Sequence, residues 1–269
     1  MVPSEGMELR SRHFGAGAAF FGTRVAAVIL RAVFGAADFE LFDLRFQSDP
    51  EWNGRRLEIR RRLQALGDRV KGEYAAAGVS LDRRESLHHP HASNRKRVAR
   101  QRTMLFRDRK ARKSLQGFLG KELGKDLDSA HNNVHLQAGL DRAGCFWGLR
   151  VEAGAWYDLN VLLKRAEEGA GQRALVEACR AAKGFELRVD GRGARPADGV
   201  SARDWRDIAG IVRPGESELE LRCELPAAQA VAAGASLEDR IAGELGALAA
   251  FLALTSWTLD GSSPSGASL

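Results

Sequence analysis

A chain of 269 residues with 44% hydrophobic and 28% charged residues can bury one substantial core and is too apolar for global disorder. Its three cysteines, Cys145, Cys179 and Cys223, are odd in number and widely spaced, with no C-x-x-C pair to suggest zinc or redox chemistry. They are read as small buried residues in a reducing, cytoplasmic setting. The net charge of +6 is concentrated in one stretch of the chain.

Residues 1–15 are expected to form a flexible N-terminus, followed by a single α+β domain over 16–259 and a disordered Ser/Gly-rich tail at 260–269. The apolar stretch from Phe14 to Ala37 is interrupted by Arg24, Arg31 and several glycines, so it falls short of the roughly 18–20 residues that span a bilayer. No membrane association is expected. Within this stretch Thr23–Phe34 is read as a helix with Val25, Val28, Ile29, Ala32 and Val33 inward.

From Pro50 to Ala77, Ile59, Leu63, Leu66, Val70, Tyr74 and Ala77 recur at steps of three and four, which defines one helical face. Arg55, Arg56, Arg60, Arg61, Arg62 and Arg69 take much of the remainder, and Gly78 suits the helix end. Gln101–Arg107 predicts a strand. Asp108 then caps a helix over Arg109–Leu123, with Ala111, Leu115, Phe118, Leu119 and Leu123 as its inner stripe and a cationic outer face.

Strict alternation over Val134–Asp141 and Cys145–Glu152, joined by Arg142–Gly144, predicts a β-hairpin. One face is apolar; the other carries His135, Gln137 and Arg150. Helices are predicted from Trp156, over Gln172–Lys183, over Ala202–Val212 and from Ser236 to Thr255, with strands at Phe185–Val189 and Ser217–Leu225. Hairpin and helical connections without regular βαβ alternation indicate an α+β fold: an antiparallel sheet with a central hairpin packed against several amphipathic helices.

The basic segment 83–113 holds twelve Lys and Arg residues against Glu85 and Asp108 alone. Arginine outnumbers lysine nine to three there, and its planar fork suits bidentate phosphate contacts. Clustered cations attract polyanions by releasing condensed counterions. The expected nucleic-acid-binding residues are Arg95, Lys96, Arg97, Arg100, Arg102, Arg107, Arg109, Lys110, Arg112 and Lys113, with Arg83 and Arg84 preceding them. His88, His89, His91, Ser93 and Asn94 add hydrogen-bonding groups, and Phe106 and Trp52 are the candidate stacking rings. The other tryptophans, Trp147, Trp156, Trp205 and Trp257, are assigned mostly to packing.

No zinc-finger, RNP or homeodomain pattern is present, so contacts to phosphate rather than base reading are expected. The partners expected are nucleic acid, DNA or RNA, and a larger nucleic-acid-processing complex in which the chain is an accessory subunit. One alternative is an enzyme, a nuclease or phosphate-ester hydrolase, at the polar sheet face around His135, Gln137 and Arg150. Another is an interaction module for an acidic protein. Glu218, Glu220 and Arg222 only imitate a metal-nuclease pattern. His131 and His135 share a spacing that one of His88, His89 or His91 would have to complete into a metal site. No P-loop, G-x-S-x-G or H-E-x-x-H motif occurs, and no cofactor or metal is expected.

Phe39, Phe42, Arg56, Ile59, Leu63, Leu66 and Gly67, a basic middle, then His135, Gln137 and Gly139 leading into Trp147, resemble the pattern of the bacterial YktB-like family over the N-terminal half. The resemblance implies an α+β fold with an antiparallel sheet and supplies no catalytic residues. The Arg-rich stretch and the C-terminal third depart from it.

Overall fold

The computed structural model describes residues 33–259. The expected flexible N-terminus, the Thr23–Phe34 helix apart from its last two residues, and the tail at 260–269 therefore lie outside the described residues. Val33 and Phe34 are not helical. Phe34 is buried and packs edge-on against Phe39 of α1 (Ala36–Glu40).

Helix α2 (Asn53–Ala76) forms where the three-and-four periodicity predicts it, led in by a 3-10 turn at Pro50–Trp52 whose cap, Asp49, accepts from Glu51 N. Ile59, Leu63, Leu66, Val70 and Tyr74 form its buried stripe. Arg56, expected on the outer face, is instead fully buried: its guanidinium donates to the carbonyls of Asp49 and Phe46 and to Asn53 Oδ1, closing the loop before the helix.

Seven strands follow: β1 (Leu81–Glu85), β2 (Arg100–Arg107), β3 (His135–Asp141), β4 (Gly144–Val151), β5 (Glu186–Val189), β6 (Arg192–Pro196) and β7 (Leu219–Pro226). They form one sheet in the order β1-β2-β3-β4-β7-β5-β6 with every neighbouring pair antiparallel. The fold is α+β, and the hairpin β3–β4 lies at its centre. Cross-strand register aligns Leu105, Leu136, Leu149, Leu221 and Leu187 in one buried row across five strands. Such a row is where period-two alternation from separate strands sums into one core face.

The remaining helices are α3 (Arg109–Gly124), α4 (Trp156–Glu167), α5 (Gly169–Ala181), α6 (Ala202–Ile211), α7 (Ala227–Ala233), α8 (Ser236–Gly246) and α9 (Ala249–Thr255). Helix α2 lies against β1 and β2, α8 against α2 and β4, and α4 packs with α5, α6 and α9. Ser201 and Asp204 form the expected capping box of α6. The last helix, expected to be continuous to Thr255, is broken into α8 and α9, and Gly243 and Gly246 weaken the helix just before the break.

Helix α3 starts at the expected Asp108 cap but turns a different face inward. Arg112 and Leu115 are buried, whereas Ala111, Phe118 and Leu123 of the predicted inner stripe are exposed. Arg112 can take the inner position because its charge is met by Asp82 of β1 at 2.7 Å and Asp128 at 3.2 Å, and its guanidinium lies over the Phe106 ring.

Candidate anion-binding surface and polar sheet face

The basic segment divides into two populations. Arg83 is paired with Asp68 and Glu85, Arg102 with Glu152, Arg107 with Asp158 and Arg112 with Asp82 and Asp128. Arg102, Arg107 and Arg112, expected to contact nucleic acid, are buried among these partners and hold the fold together instead. Burial without such partners would cost several kcal/mol per charge, about what loss of one partner exposes.

The other eight, Arg84, Arg95, Lys96, Arg97, Arg100, Arg109, Lys110 and Lys113, are exposed and have no ion pair among the described residues. Arg95, Lys96 and Arg97 lie on a turn braced from within: His91 N donates to Asn94 Oδ1 at 2.7 Å, Asn94 Nδ2 to His89 O at 2.9 Å, and Lys96 N to His91 O at 2.7 Å. Arg95 and Lys96 both have positive φ, 55° and 57°, an uncommon conformation outside glycine that the surrounding hydrogen bonds maintain. The turn leads into the Arg100 end of β2, and α3 leaves the Arg107 end. Arg84, on edge strand β1 opposite Met104, has Arg102 and Arg100 further along its face. The free cations thus fall into one group at the start of β2 and another on α3 beyond its end, separated by about the 23 Å of an eight-residue strand, with Arg84 on the neighbouring edge strand.

The two expected stacking rings differ in exposure. Phe106 is 2% exposed beneath Arg112, and Trp52 is half-buried against the core and Phe46.

The polar face of the sheet brings His135, Gln137 and Arg150 together, with partners the sequence leaves unnamed. Arg102 Nη1 donates to Gln137 Oε1 at 2.6 Å, and Gln137 Nε2 to Glu220 Oε1 at 2.7 Å. An ion-pair ladder runs across four strands through Arg102, Glu152, Arg150, Glu220, Arg222, Glu224 and Arg188. Gly148 sits between Gln137 and Arg222 in this register; its φ is 154°, and a Cβ there would come within 1.8 Å of Leu221 O. Beside the ladder, a cleft of about 110 Å³ is lined by Asp141, Gly144, Phe146, Arg222, Glu224 and Pro226.

His135 is fully buried, and its Nδ1 donates to Asn133 O at 3.0 Å. Burial first, and then the charge of Arg102, push its pKa down to about 4, so the ring is neutral at neutral pH. Its Nε2 makes no hydrogen bond and lies 3.9 Å from Glu152. Burial raises the Glu152 carboxyl, but the hydrogen bond from His131 and the charge of Arg102 outweigh it and hold the group well below the usual carboxylate range. His131, about half exposed, donates from Nδ1 to Glu152 at 2.8 Å.

The register separates His135, opposite Phe106, from the 88–91 loop, which precedes Arg100 at the other end of β2. A three-histidine metal site is therefore not assembled, and among the described residues no group of three or more His, Cys, Asp or Glu is placed to hold a metal ion. All three cysteines are buried and free; burial raises the Cys145 and Cys179 thiols to about 12, which suits packing rather than nucleophilic chemistry. No helix among the described residues is long and apolar enough to cross a membrane.

No family model matches the chain, and no curated protein matches it in sequence.

Proposed function

We propose that this protein binds nucleic acid through the phosphate backbone, using Arg84, Arg95, Lys96, Arg97, Arg100, Arg109, Lys110 and Lys113, as an accessory subunit of a larger intracellular nucleic-acid-processing complex. The observation that carries this reading is the separation of the basic segment into internally neutralised arginines and eight exposed cations without carboxylate partners among the described residues. Unpaired cations attract a polyanion with no internal ion pair to break first.

The test is binding of DNA and RNA oligonucleotides as a function of salt, with a variant reversing charge at Arg97, Arg100, Lys110 and Lys113. These side chains are exposed, so the variant should melt as the wild type does. Wild-type affinity should fall steeply between about 50 and 200 mM salt, as for roughly six or more phosphates neutralised, and the variant should lose binding. Binding that survives the four reversals at physiological salt would show the reading to be wrong. Binding only of an acidic protein would assign the same cations to that partner.

A second reading, a phosphate-ester-cleaving enzyme at the polar face, is favoured by the pairing of His131 with Glu152. A half-exposed imidazole oriented by a carboxylate is the arrangement of a general base. On this reading the base is His131 rather than the buried His135. His131→Gln would abolish cleavage of nucleic acid in magnesium or manganese while leaving binding unchanged.

A further inference from the structure

Four aromatic rings gather at the surface beside the C-terminal half of α3. Phe118 is 71% exposed and meets Trp257 edge-on with ring centroids 6.0 Å apart. Trp257 stacks on Tyr157 at 4.9 Å and 13°, and Tyr157 on Trp156 at 3.5 Å and 29°. Trp156 is itself 39% exposed. The array is fixed from below by buried Asp158, which accepts from Trp257 N at 2.8 Å and is paired with Arg107. A cation of the basic segment thus orients the rings instead of meeting a ligand.

Phe118 and Leu123 both leave apolar surface exposed on this helix among the described residues, and Phe118 meets Trp257 only at an edge. The same helix carries the exposed cations Arg109, Lys110 and Lys113. Lys110 and Phe118 are both on its solvent side, separated by about 12 Å along the axis. Cations beside the exposed rings of Phe118 and Trp156 match a ligand that combines phosphates with planar faces. Duplex nucleic acid hides its base faces in the stack, and an acidic peptide lacks them. An unpaired strand offers both.

We propose that Phe118 and Trp156, the exposed rings of the array, backed by Tyr157 and Trp257, form the base-stacking part of the nucleic-acid surface, and that the preferred ligand is single-stranded nucleic acid with phosphates on the α3 cations and bases on these two rings. The inference rests on the phosphate-binding reading and adds to it a discrimination between paired and unpaired strands that phosphate contacts alone do not give.

The experiment compares oligothymidine, oligouridine, a duplex of the same length and heparin, a polyanion without bases, by fluorescence anisotropy. The proteins are the wild type, Phe118→Ala, Trp156→Ala, Phe118→Tyr and the four-charge reversal. Each ring-to-alanine change should weaken single-strand binding about tenfold, within the range for losing one stacked base, and leave heparin binding unchanged. Phe118→Tyr should retain most of the affinity, which separates loss of a ring from loss of fold. Single-strand affinity unchanged in both alanine variants, or reduced in parallel for heparin, would overturn the stacking inference while the cationic reading stands. If the ring changes alter only the sedimentation of the free protein, the patch is a contact between copies and the inference is likewise overturned. Retention of all binding by the charge reversal would remove the cationic reading itself.

Discussion

His135 shows how the polar face constrains its residues. The ring is buried with Nδ1–H committed to Asn133 O, while Nε2 has no hydrogen-bond partner and Arg102 is close enough to oppose a second proton. Its pKa lies near 4 in the folded protein against 6.5 in the unfolded chain, so the unfolded state binds more protons between those values. Stability is therefore full above pH 6.5 and is lost as pH falls toward 4, by up to about 3 kcal/mol. Glu152 adds a separate acid limb: its folded pKa is depressed, so its contribution is present above its ordinary value and lost as pH falls below it. His135→Gln should flatten the urea-unfolding free energy between pH 6.5 and 4 and leave the more acidic limb in place. An unchanged slope in that window would show that His135 is not the titrating group. The sequence placed His135 on the polar face by alternation alone. It could not reveal that the face is largely buried, nor that Glu152 and Glu220 complete it, because Arg102 and Glu152 meet across 50 residues and Gln137 and Glu220 across 83.

At the scale of elements, periodicity located α2, α6, the central hairpin, β2 and β7 to within a few residues, because each has one apolar face that the fold buries. It missed β1, whose sequence Leu-Asp-Arg-Arg-Glu is polar because the strand forms the sheet edge, where charge discourages pairing with another chain. It also missed β6, where Gly193 and Pro196 mask the strand. The rotation of α3 was hidden for a third reason: a buried arginine reads as a surface residue until its carboxylates, 16 and 30 residues away, are known. The pairing of β4 with β7 makes a sharper test. Gly148 is in the positive-φ region, and any Cβ would collide with the Leu221 carbonyl. Gly148→Ala should destabilise the protein by about 3 kcal/mol or more in urea denaturation, since backbone strain and overpacking act together. A loss below about 1 kcal/mol would mean that β4 and β7 move apart more easily than their register implies.

On the scale of the whole molecule, one hydrophobic cluster runs from Phe34 to Leu252, and polar interactions organise what lies around it. Asp158 is the clearest junction. It receives the guanidinium of Arg107 from the end of β2, the amide of Val134 just before β3 and the amide of Trp257 beyond α9, partners 51, 24 and 99 residues away. One carboxylate thus closes three chain loops of very different length, and opening any of them leaves a buried anion short of a donor. The chain near its last described residues is consequently coupled to the centre of the sheet rather than free to fray. Native-state hydrogen exchange should reflect this directly: the Trp257 amide should exchange only with the slow, globally opening core, and Asp158→Asn should shift it to fast local exchange. Fast exchange at Trp257 in the unaltered protein would show that the junction opens locally. Slow exchange there would mean that the ring array is as long-lived as the folded core and needs no ordering of its own when a ligand arrives.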